Sequence, residues 1–236
     1  MRALVLWHEP DGPPGEIGVR LARRGIEIVD HLITPDLDRP QHTTGPLPEF
    51  AEYDIVVVMG SVRSLTRKHE IDPWIHDELH RLARAHRSGQ PILGICFGGQ
   101  LLAEALGGVV EAAPAAEIGW YDIDPVDGFD CPIGAGPWMQ WHHDRFFAPP
   151  EAEVLATSEV GQQLFRIGRS VGTQFHPEIT HGILEGWLKN CDDDYATAID
   201  LDVDRLRSET DAHQRTSAEA CHRMVDWFLD TVAFPG

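Results

Sequence analysis

The sequence predicts an α/β fold: an open, mainly parallel sheet flanked by helices, with a smaller antiparallel strand set and a C-terminal helical extension. Two continuous apolar runs, 54–59 and 91–95, are typical of parallel strands, which helices bury on both faces. Helical patterns alternate with such runs over residues 2–107. This alternation favours parallel strands joined by crossover helices.

The first elements are a strand over 2–7, a helix that ends near Arg24, and a strand over 26–32. Gly25 suits the C-cap of that helix. Residues 33–50 hold four prolines and no apolar period, so we expect a loop.

A second helix is predicted to begin at Asp72-Pro73, with Asp72 as N-cap and Pro73 as the first helical residue. The strand over 91–95 then leads into a helix over 101–106, which Gly107 ends.

Beyond residue 110 the predicted strands are short, some of them antiparallel, at 118–126, 138–141, 152–157, 163–167 and 171–175. We expect a helix over 179–189 and one domain over 1–190. Residues 191–236 are interpreted as an acidic linker and a C-terminal helix packed on the same domain. We expect the acidic side chains of the linker to be exposed to solvent. Thr216 to Glu219 resembles a capping box at the start of that helix. Its apolar stripe, which we expect to pack in the core, is Ala220, Met224, Trp227 and Phe228.

Composition excludes several classes of function. The 236 residues carry a formal charge of −19, which disfavours nucleic acid and anionic membranes as partners. The apolar run at 3–7 is too short for a signal-peptide core, so we expect a cytoplasmic protein. The four cysteines form no C-x-x-C pair, which argues against a zinc site or a disulfide framework. We predict no metal and no cofactor.

The strongest chemical signal is Cys96, which stands where the apolar strand meets a helix, with Gly94, Gly98 and Gly99 around it. A nucleophile on such a turn is held in strained backbone, and small neighbours let the turn fit. The helix N-terminus favours a thiolate and offers backbone N–H groups to a developing oxyanion. An inert buried cysteine is the alternative.

His176 and Glu178 supply the partner that a thiolate nucleophile needs. They lie two residues apart in a predicted extended segment, so their side chains point the same way. A carboxylate beside an imidazole fixes its tautomer and stabilises the imidazolium. Together with Cys96 they complete a candidate Cys-His-Glu triad.

These residues resemble the class I (triad-type) glutamine amidotransferases, and most closely the glutaminase domain of GMP synthase and its stand-alone relatives. The matching segments, in the family's order over roughly residues 1–190, are 57–61, 94–100, 117–120, 140–144 and 174–178. The resemblance implies a flavodoxin-like sheet and a triad of Cys96, His176 and Glu178. It implies an oxyanion hole from the Gly60 segment and the Phe97 N–H. It also implies glutamine contacts at Gln100, His143 and Asp144.

The chain departs from the family at two places. His143 stands where the family commonly has glycine, in a segment we expect to be a loop, and it could face the pocket or solvent. Met59-Gly60-Ser61 replaces the usual G-G-P of the oxyanion loop.

The resemblance leaves several functions open. The first is a glutaminase that passes ammonia to an acceptor on a separate chain, possible partners being ATP-dependent synthetases, because no ATP-binding loop is recognisable here. The second is a stand-alone hydrolase of γ-glutamyl compounds with no ammonia acceptor. A non-catalytic regulatory module and an acyl transferase are further alternatives.

Overall fold

The structure, a computed structural model, describes residues 1–128, 131–134 and 136–236. Its strands are β1 (Arg2–Trp7), β2 (Glu27–Leu32), β3 (Ile55–Val58), β4 (Ile92–Ile95), β5 (Val109–Tyr121), β6 (Asp124–Pro125), β7 (Trp138–Phe147), β8 (Glu153–Thr157), β9 (Gln162–Ile167) and β10 (Ser170–Thr173). Its α-helices are α1 (Gly15–Arg23), α2 (Trp74–Arg87), α3 (Phe97–Ala105), α4 (His181–Asn190), α5 (Asp193–Ala198) and α6 (Val203–Trp227). Turns of 3-10 helix cover Phe50–Glu52 and Leu65–Glu70, and a π-helical segment covers Phe228–Ala233.

Among the described residues, eight strands form one sheet in the order β2-β1-β3-β4-β10-β9-β8-β6. The five strands from β2 to β10 pair in parallel, and β9, β8 and β6 extend that sheet in antiparallel pairing. The predicted fold class is confirmed: a mainly parallel sheet, a smaller antiparallel set and a C-terminal helix.

Both faces of the parallel sheet are buried, as the continuous apolar runs require. Along β1, Ala3 and Val5 pack on the side of α1 and α6, whereas Leu4 and Leu6 pack on the side of α2 and α3. Successive side chains of a strand point to opposite faces, so one apolar run supplies two cores.

The strands β5 and β7 form a separate antiparallel ribbon. The prediction of a short strand over 138–141 followed by a loop is wrong, because β7 continues to Phe147. Its side chains alternate in burial along this stretch: His142 and Asp144 are buried, and His143 between them is exposed. This alternation is that of a strand with one covered face.

The start of α2 also differs from the prediction. The helix begins at Trp74, and Pro73 occupies the N-cap without a side-chain capping bond. Asp72 does not cap the helix; its carboxylate lies 3.5 Å from Nε2 of His76.

The last helix begins earlier than predicted. Residues 216–219 lie inside α6, whose N-cap is Asp202, with its Oδ1 accepting from the Arg205 N–H at 2.9 Å. Thr216 donates its hydroxyl to the carbonyl of His213, three residues back. The acidic residues of 192–204 are exposed, as predicted, but two of them, Asp192 and Asp202, cap helices.

The predicted apolar stripe of α6 packs in the core. Met224 and Phe228 are fully buried, and Ala220 and Trp227 pack against the same cluster as α1. The assignment of 191–236 to the domain of 1–190 stays a prediction that this packing supports. None of the helices in the described ranges combines the length and apolar character needed to cross a bilayer.

An ionic cluster ties α6 to α1. Asp226 accepts from Nε and Nη2 of Arg20 at 2.8 and 2.6 Å and from Nη1 of Arg24 at 2.7 Å. Arg24 also reaches Asp230 at 2.5 Å. Hydrogen bonds from Arg20 and Arg24 hold the pKa of Asp226 below its ordinary value against the opposing effect of burial.

We expect Asp226→Asn to lower the free energy of unfolding by about 1–2 kcal/mol, because a partly buried bidentate pair is lost. The depressed pKa means that this contribution is present above the unfolded-state pKa of an aspartate and is lost as pH falls through the folded-state pKa. Urea unfolding at pH 7 and at acidic pH measures the difference. Asp204→Asn is the control, since Asp204 is fully exposed and lies 4.0 Å from Arg207. Equal effects of the two substitutions would contradict the prediction.

Candidate active site

Cys96 stands at the junction of β4 and α3 in a strained conformation. Its φ is +49° and its ψ is −105°, a region that residues with a Cβ rarely adopt. Its N–H donates to the carbonyl of Thr173 at 2.9 Å, so the turn is hydrogen-bonded to the end of β10. The thiol is at the N-cap of α3, where backbone N–H groups lack helical partners.

Three glycines allow the close packing around this turn. A Cβ at Gly98 would lie 2.1 Å from the Val58 carbonyl oxygen, and one at Gly99 would lie 2.3 Å from that of Thr173. A Cβ at Gly94 would lie 2.4 Å from the carbonyl oxygen of Gly98. The glycine frame is therefore a steric requirement for seating α3 on β3 and β10.

His176 and Glu178 follow β10 and form a buried pair. Nδ1 of His176 lies 2.8 Å from Oε1 of Glu178, and the two residues are 4% and 2% exposed. Because the carboxylate accepts at Nδ1, the Nε2 atom is the one left for chemistry.

The charges around His176 favour its imidazolium form. Burial lowers the pKa of this imidazole, but Glu178 and then Cys96 outweigh burial and raise it well above its ordinary value. Nε2 has no partner at hydrogen-bond geometry among the described residues. Cys96 therefore acts on the imidazole of His176 through its charge rather than through a hydrogen bond to Nε2.

One cavity of about 800 Å³ brings together all the residues that the sequence singled out. These are Gly60, Cys96, Phe97, Gln100, His143, Asp144, His176 and Glu178. They come from three segments that follow the parallel strands β3, β4 and β10 and from β7 of the antiparallel ribbon. The carboxyl edge of the parallel strands is the usual place for a site in an open α/β sheet.

The candidate oxyanion segment lies directly against Cys96 and His176. A Cβ on Gly60 would lie 3.1 Å from Cε1 of His176 and 3.9 Å from Cβ of Cys96. Phe97 is the first residue of α3, so its N–H is one of those without an intrahelical acceptor. Both candidate donors thus flank Cys96.

Gln100 and Asp144 are buried beside this centre. Nε2 of Gln100 donates to the Asp144 carbonyl at 3.2 Å and to Oε1 of Gln174 at 3.3 Å. The Asp144 carboxylate accepts from the Ser64 hydroxyl. The hydrogens of Gln100 are therefore used inside the protein.

His143 is exposed at the cavity edge. Its Nε2 lies 2.8 Å from the hydroxyl of Tyr195, which also accepts from Nε1 of Trp141 at 3.1 Å. His143 was expected to face either the pocket or solvent. It does both, because it is exposed to solvent and also lines the cavity together with Tyr195 of α5.

Sequence reasoning missed several residues of the site. Nε2 of Gln174 lies 3.6 Å from the Cys96 sulfur, and the Trp187 ring packs edge-on at 4.7 Å from the His176 ring. Gln174 belongs to a segment that carries the family resemblance, which gave it no role. Trp187 and Tyr195 follow β10 in the chain and carry no sequence signal for this placement.

The site combines a buried thiol, an imidazole and a carboxylate, side chains with which acyl transfer can be carried out. In the described ranges, no group of three or more His, Cys, Asp or Glu side chains is arranged to hold a metal ion.

Comparison with known sequences gives the family. Residues 20–191 match the family described as Glutamine amidotransferase class-I. The chain is 32% identical over 165 residues to one subunit of the glutamine-hydrolyzing GMP synthase of Ignicoccus hospitalis, covering 64% of this chain and 84% of that one. It is 32% identical over 164 residues to the glutamine amidotransferase-like protein YfeJ of Salmonella typhimurium, covering 64% and 67%. It spans only 24% of the GMP synthase of Aeropyrum pernix, at 37% identity.

A solved structure shows the same fold. The chain is similar to a glutamine amidotransferase from Thermotoga maritima, with a TM-score of 0.82 and 24% identity, over 98% of this chain and 99% of that one. The sequence match over residues 20–191 and the relatives at 32% identity lead to one conclusion: the chain belongs to the class I glutamine amidotransferase family.

Proposed function

We propose that the protein hydrolyses the side-chain amide of glutamine, with Cys96 as nucleophile, His176 as proton carrier and Glu178 as its orienting carboxylate. The observation that carries this proposal is the strained, 4% exposed Cys96 at a helix N-terminus, beside an imidazole that a buried glutamate holds. Such strain is retained where it positions a reacting group.

The reaction proceeds through a thioester. The Cys96 thiolate attacks the amide carbon, and the carbonyl oxygen takes the negative charge. His176 gives its Nε2 proton to the departing nitrogen, so ammonia leaves and a γ-glutamyl thioester remains. His176 then takes a proton from water as that water attacks the thioester, and glutamate and the thiolate are released.

The other cavity residues bind the substrate in this proposal. The Phe97 N–H and the Gly60 segment stabilise the oxyanion, because both flank Cys96. Gln100, His143 and Asp144 line the part of the cavity that takes the amino-acid end of glutamine.

Ammonia then passes to an acceptor on a separate ATP-dependent synthetase chain. The similarity to a protein that is named as one subunit of a GMP synthase supports such a partner. If a synthetase gene adjoins the gene of this protein, co-purification of the two proteins tests this part. The synthetase is then expected to use glutamine as its nitrogen source only when this protein is present.

A γ-glutamyl hydrolase without an ammonia acceptor is the second candidate. The observation in its favour is the cavity volume of about 800 Å³, near the upper end of the range for pockets that hold drug-sized ligands (about 300–1,000 Å³) and far larger than glutamine needs. Glutamate release from glutamine and from a panel of γ-glutamyl amides separates the two candidates.

Cys96→Ala abolishes glutamate release and leaves the melting temperature nearly unchanged, because the substitution removes the nucleophile and little volume. Cys96→Ser is nearly inactive, since a hydroxyl is rarely ionised at neutral pH. A glutamine-analogue electrophile, followed by peptide mass spectrometry, labels Cys96.

Cys191→Ala is the matched control for the labelling, because Cys191 lines the same cavity. Burial, together with Asp192 and Asp11, raises the pKa of the Cys191 thiol, so it is a poor nucleophile at pH 7. Labelling at Cys131, Cys191 or Cys221 with Cys96 untouched would overturn the assignment.

Glu178→Gln lowers kcat/KM by about 10- to 100-fold, whereas His176→Ala lowers it by about 1,000-fold or more. The loss is smaller in Glu178→Gln because His176 moves the proton, whereas Glu178 only orients the imidazole of His176. Removing the Glu178 charge also lowers the pKa of His176. Because turnover needs the imidazolium, we expect the alkaline limb of the pH–rate profile to move to lower pH in this variant. Steady-state kinetics from pH 6 to 10 measures both effects. A loss in Glu178→Gln that equals that of His176→Ala, with stability intact, contradicts these roles.

His143→Gly raises kcat/KM for bulky γ-glutamyl amides relative to glutamine by about threefold or more, because it removes an imidazole from the cavity edge. Tyr195→Phe is the matched variant: it keeps the ring and removes only the hydroxyl that bonds His143. If the ratio of kcat/KM values changes in both variants, the hydrogen bond between His143 and Tyr195 determines the selectivity. If it changes in His143→Gly alone, the volume of the His143 side chain determines it. Unchanged kcat and KM across the panel in both variants would show that this wall does not select substrates.

A further inference from the structure

A second histidine is completely buried behind the oxyanion segment. His8 follows β1 and is 0% exposed, as is Glu78 of α2. Nε2 of His8 lies 3.2 Å from each carboxylate oxygen of Glu78. Neither residue belongs to the proposed triad, and neither lines the cavity.

The other nitrogen of His8 points at the candidate oxyanion segment. Nδ1 lies 3.1 Å from the carbonyl oxygen of Gly60. A carbonyl oxygen can only accept, so Nδ1 carries a hydrogen and donates it. The His8 ring also meets the Phe97 ring edge-on, with 4.8 Å between ring centroids. One imidazole thus contacts the Gly60 carbonyl of the candidate oxyanion segment and the side chain of Phe97, whose N–H is the other candidate donor.

The bond from His8 fixes the orientation of a whole peptide plane. The peptide between Gly60 and Ser61 is trans, so its N–H points opposite to its C=O. Since the C=O is held by His8, the Ser61 N–H is directed away from His8. Both Gly60 and Ser61 line the cavity.

Glu9, the residue after His8, binds the side chains of Ser61 and Arg63 in the same loop. Oε1 of Glu9 accepts from the Ser61 hydroxyl at 2.9 Å and lies 3.4 Å from Nε of Arg63. Burial raises the pKa of Glu9, and Ser61 and Arg63 are among the groups that oppose this rise. The segment that lacks the family's G-G-P is therefore bound to the end of β1 through side chains.

We propose that His8 is a positioning residue of the proposed reaction: held by Glu78, it fixes the Gly60–Ser61 peptide, so that the Ser61 N–H of the candidate oxyanion segment is oriented toward the developing oxyanion before substrate binds. The inference rests on the proposed function. Donors that are already oriented need no reorganisation when the oxyanion forms, so the device acts on kcat more than on KM.

Two variants separate the bond to Gly60 from the charge of the pair. His8→Leu/Glu78→Leu removes both polar groups, so no unpaired charge stays buried. Glu78→Gln keeps a hydrogen-bond partner for Nε2 and leaves His8 free to donate from Nδ1. His222→Leu/Glu16→Leu is the matched control, a His–Glu pair at 2.9 Å between α6 and α1 that does not line the cavity.

Turnover is measured per active site, counted by electrophile labelling of Cys96, with the best glutamyl substrate of the wild-type protein. We expect His8→Leu/Glu78→Leu to lower kcat about 10- to 100-fold and to leave KM within about threefold of wild type. This loss in kcat is at most similar to that from deleting an oxyanion donor. Glu78→Gln and the control stay within about threefold in kcat. A merely structural defect would lower the labelled fraction and leave turnover per labelled site unchanged.

The inference is overturned if His8→Leu/Glu78→Leu keeps kcat per site within about twofold of wild type, or if Glu78→Gln falls as far as the double variant. If the double variant does not fold, imidazole ¹H–¹⁵N NMR of the wild-type protein decides, with His8 assigned through contacts to the rings of Trp74 and Phe97. A proton on Nδ1 in slow exchange supports the inference, and an unprotonated Nδ1 overturns it. Failure of the proposed function looks different: the wild-type protein would show neither turnover nor labelling of Cys96.

Discussion

The hydrogen bond from the Cys96 N–H to the Thr173 carbonyl joins the two halves of the candidate site. It continues the parallel pairing of β4 with β10, in which Ile95 lies opposite Thr173. The sheet register therefore sets the position of His176, three residues beyond Thr173, relative to the Cys96 sulfur. A slip of one residue would turn these side chains to the opposite face, so the geometry of the site is a property of the central sheet.

Around this junction, buried glutamates are paired with histidines. His176 pairs with Glu178, and His142 pairs with Glu117, its Nε2 lying 3.0 Å from Oε2. The second imidazole donates from Nδ1 to the carbonyl of Asp144, so it orders the backbone of β7 next to Gln100. Hydrogen bonds from His142, Ser158 and Gln163 outweigh burial and lower the pKa of Glu117. A buried charge is costly when it has no partner, and each of these two glutamates has a histidine beside it.

The sequence alone predicted the features that local pattern encodes. Continuous apolar runs identified the parallel strands, and the glycines around Cys96 identified the turn, because both reflect constraints between residues close in the chain. The start of α6 was missed because, among the acidic residues after 190, its two buried positions Leu206 and Thr210 are few and are covered by segments distant in the chain. Leu206 packs against α4, and Thr210 accepts from Nε1 of Trp120 in β5. Tyr195 and the pair of His8 with Glu78 were missed for a related reason. Their partners are 52 and 70 residues away in the chain, and no spacing rule brings such residues together.

The contact between Trp187 and His176 gives the site an optical signal of its own. An imidazolium quenches indole emission more strongly than a neutral imidazole does, and here the two rings lie 4.7 Å apart. A hydrogen bond also orients the Trp187 ring, with Nε1 donating to the Asp11 carbonyl at 3.0 Å. We therefore expect the emission of Trp187, among the seven tryptophans of the chain, to change with the proton on His176. The charge state of the site would then be accessible to spectroscopy without any substrate or added dye.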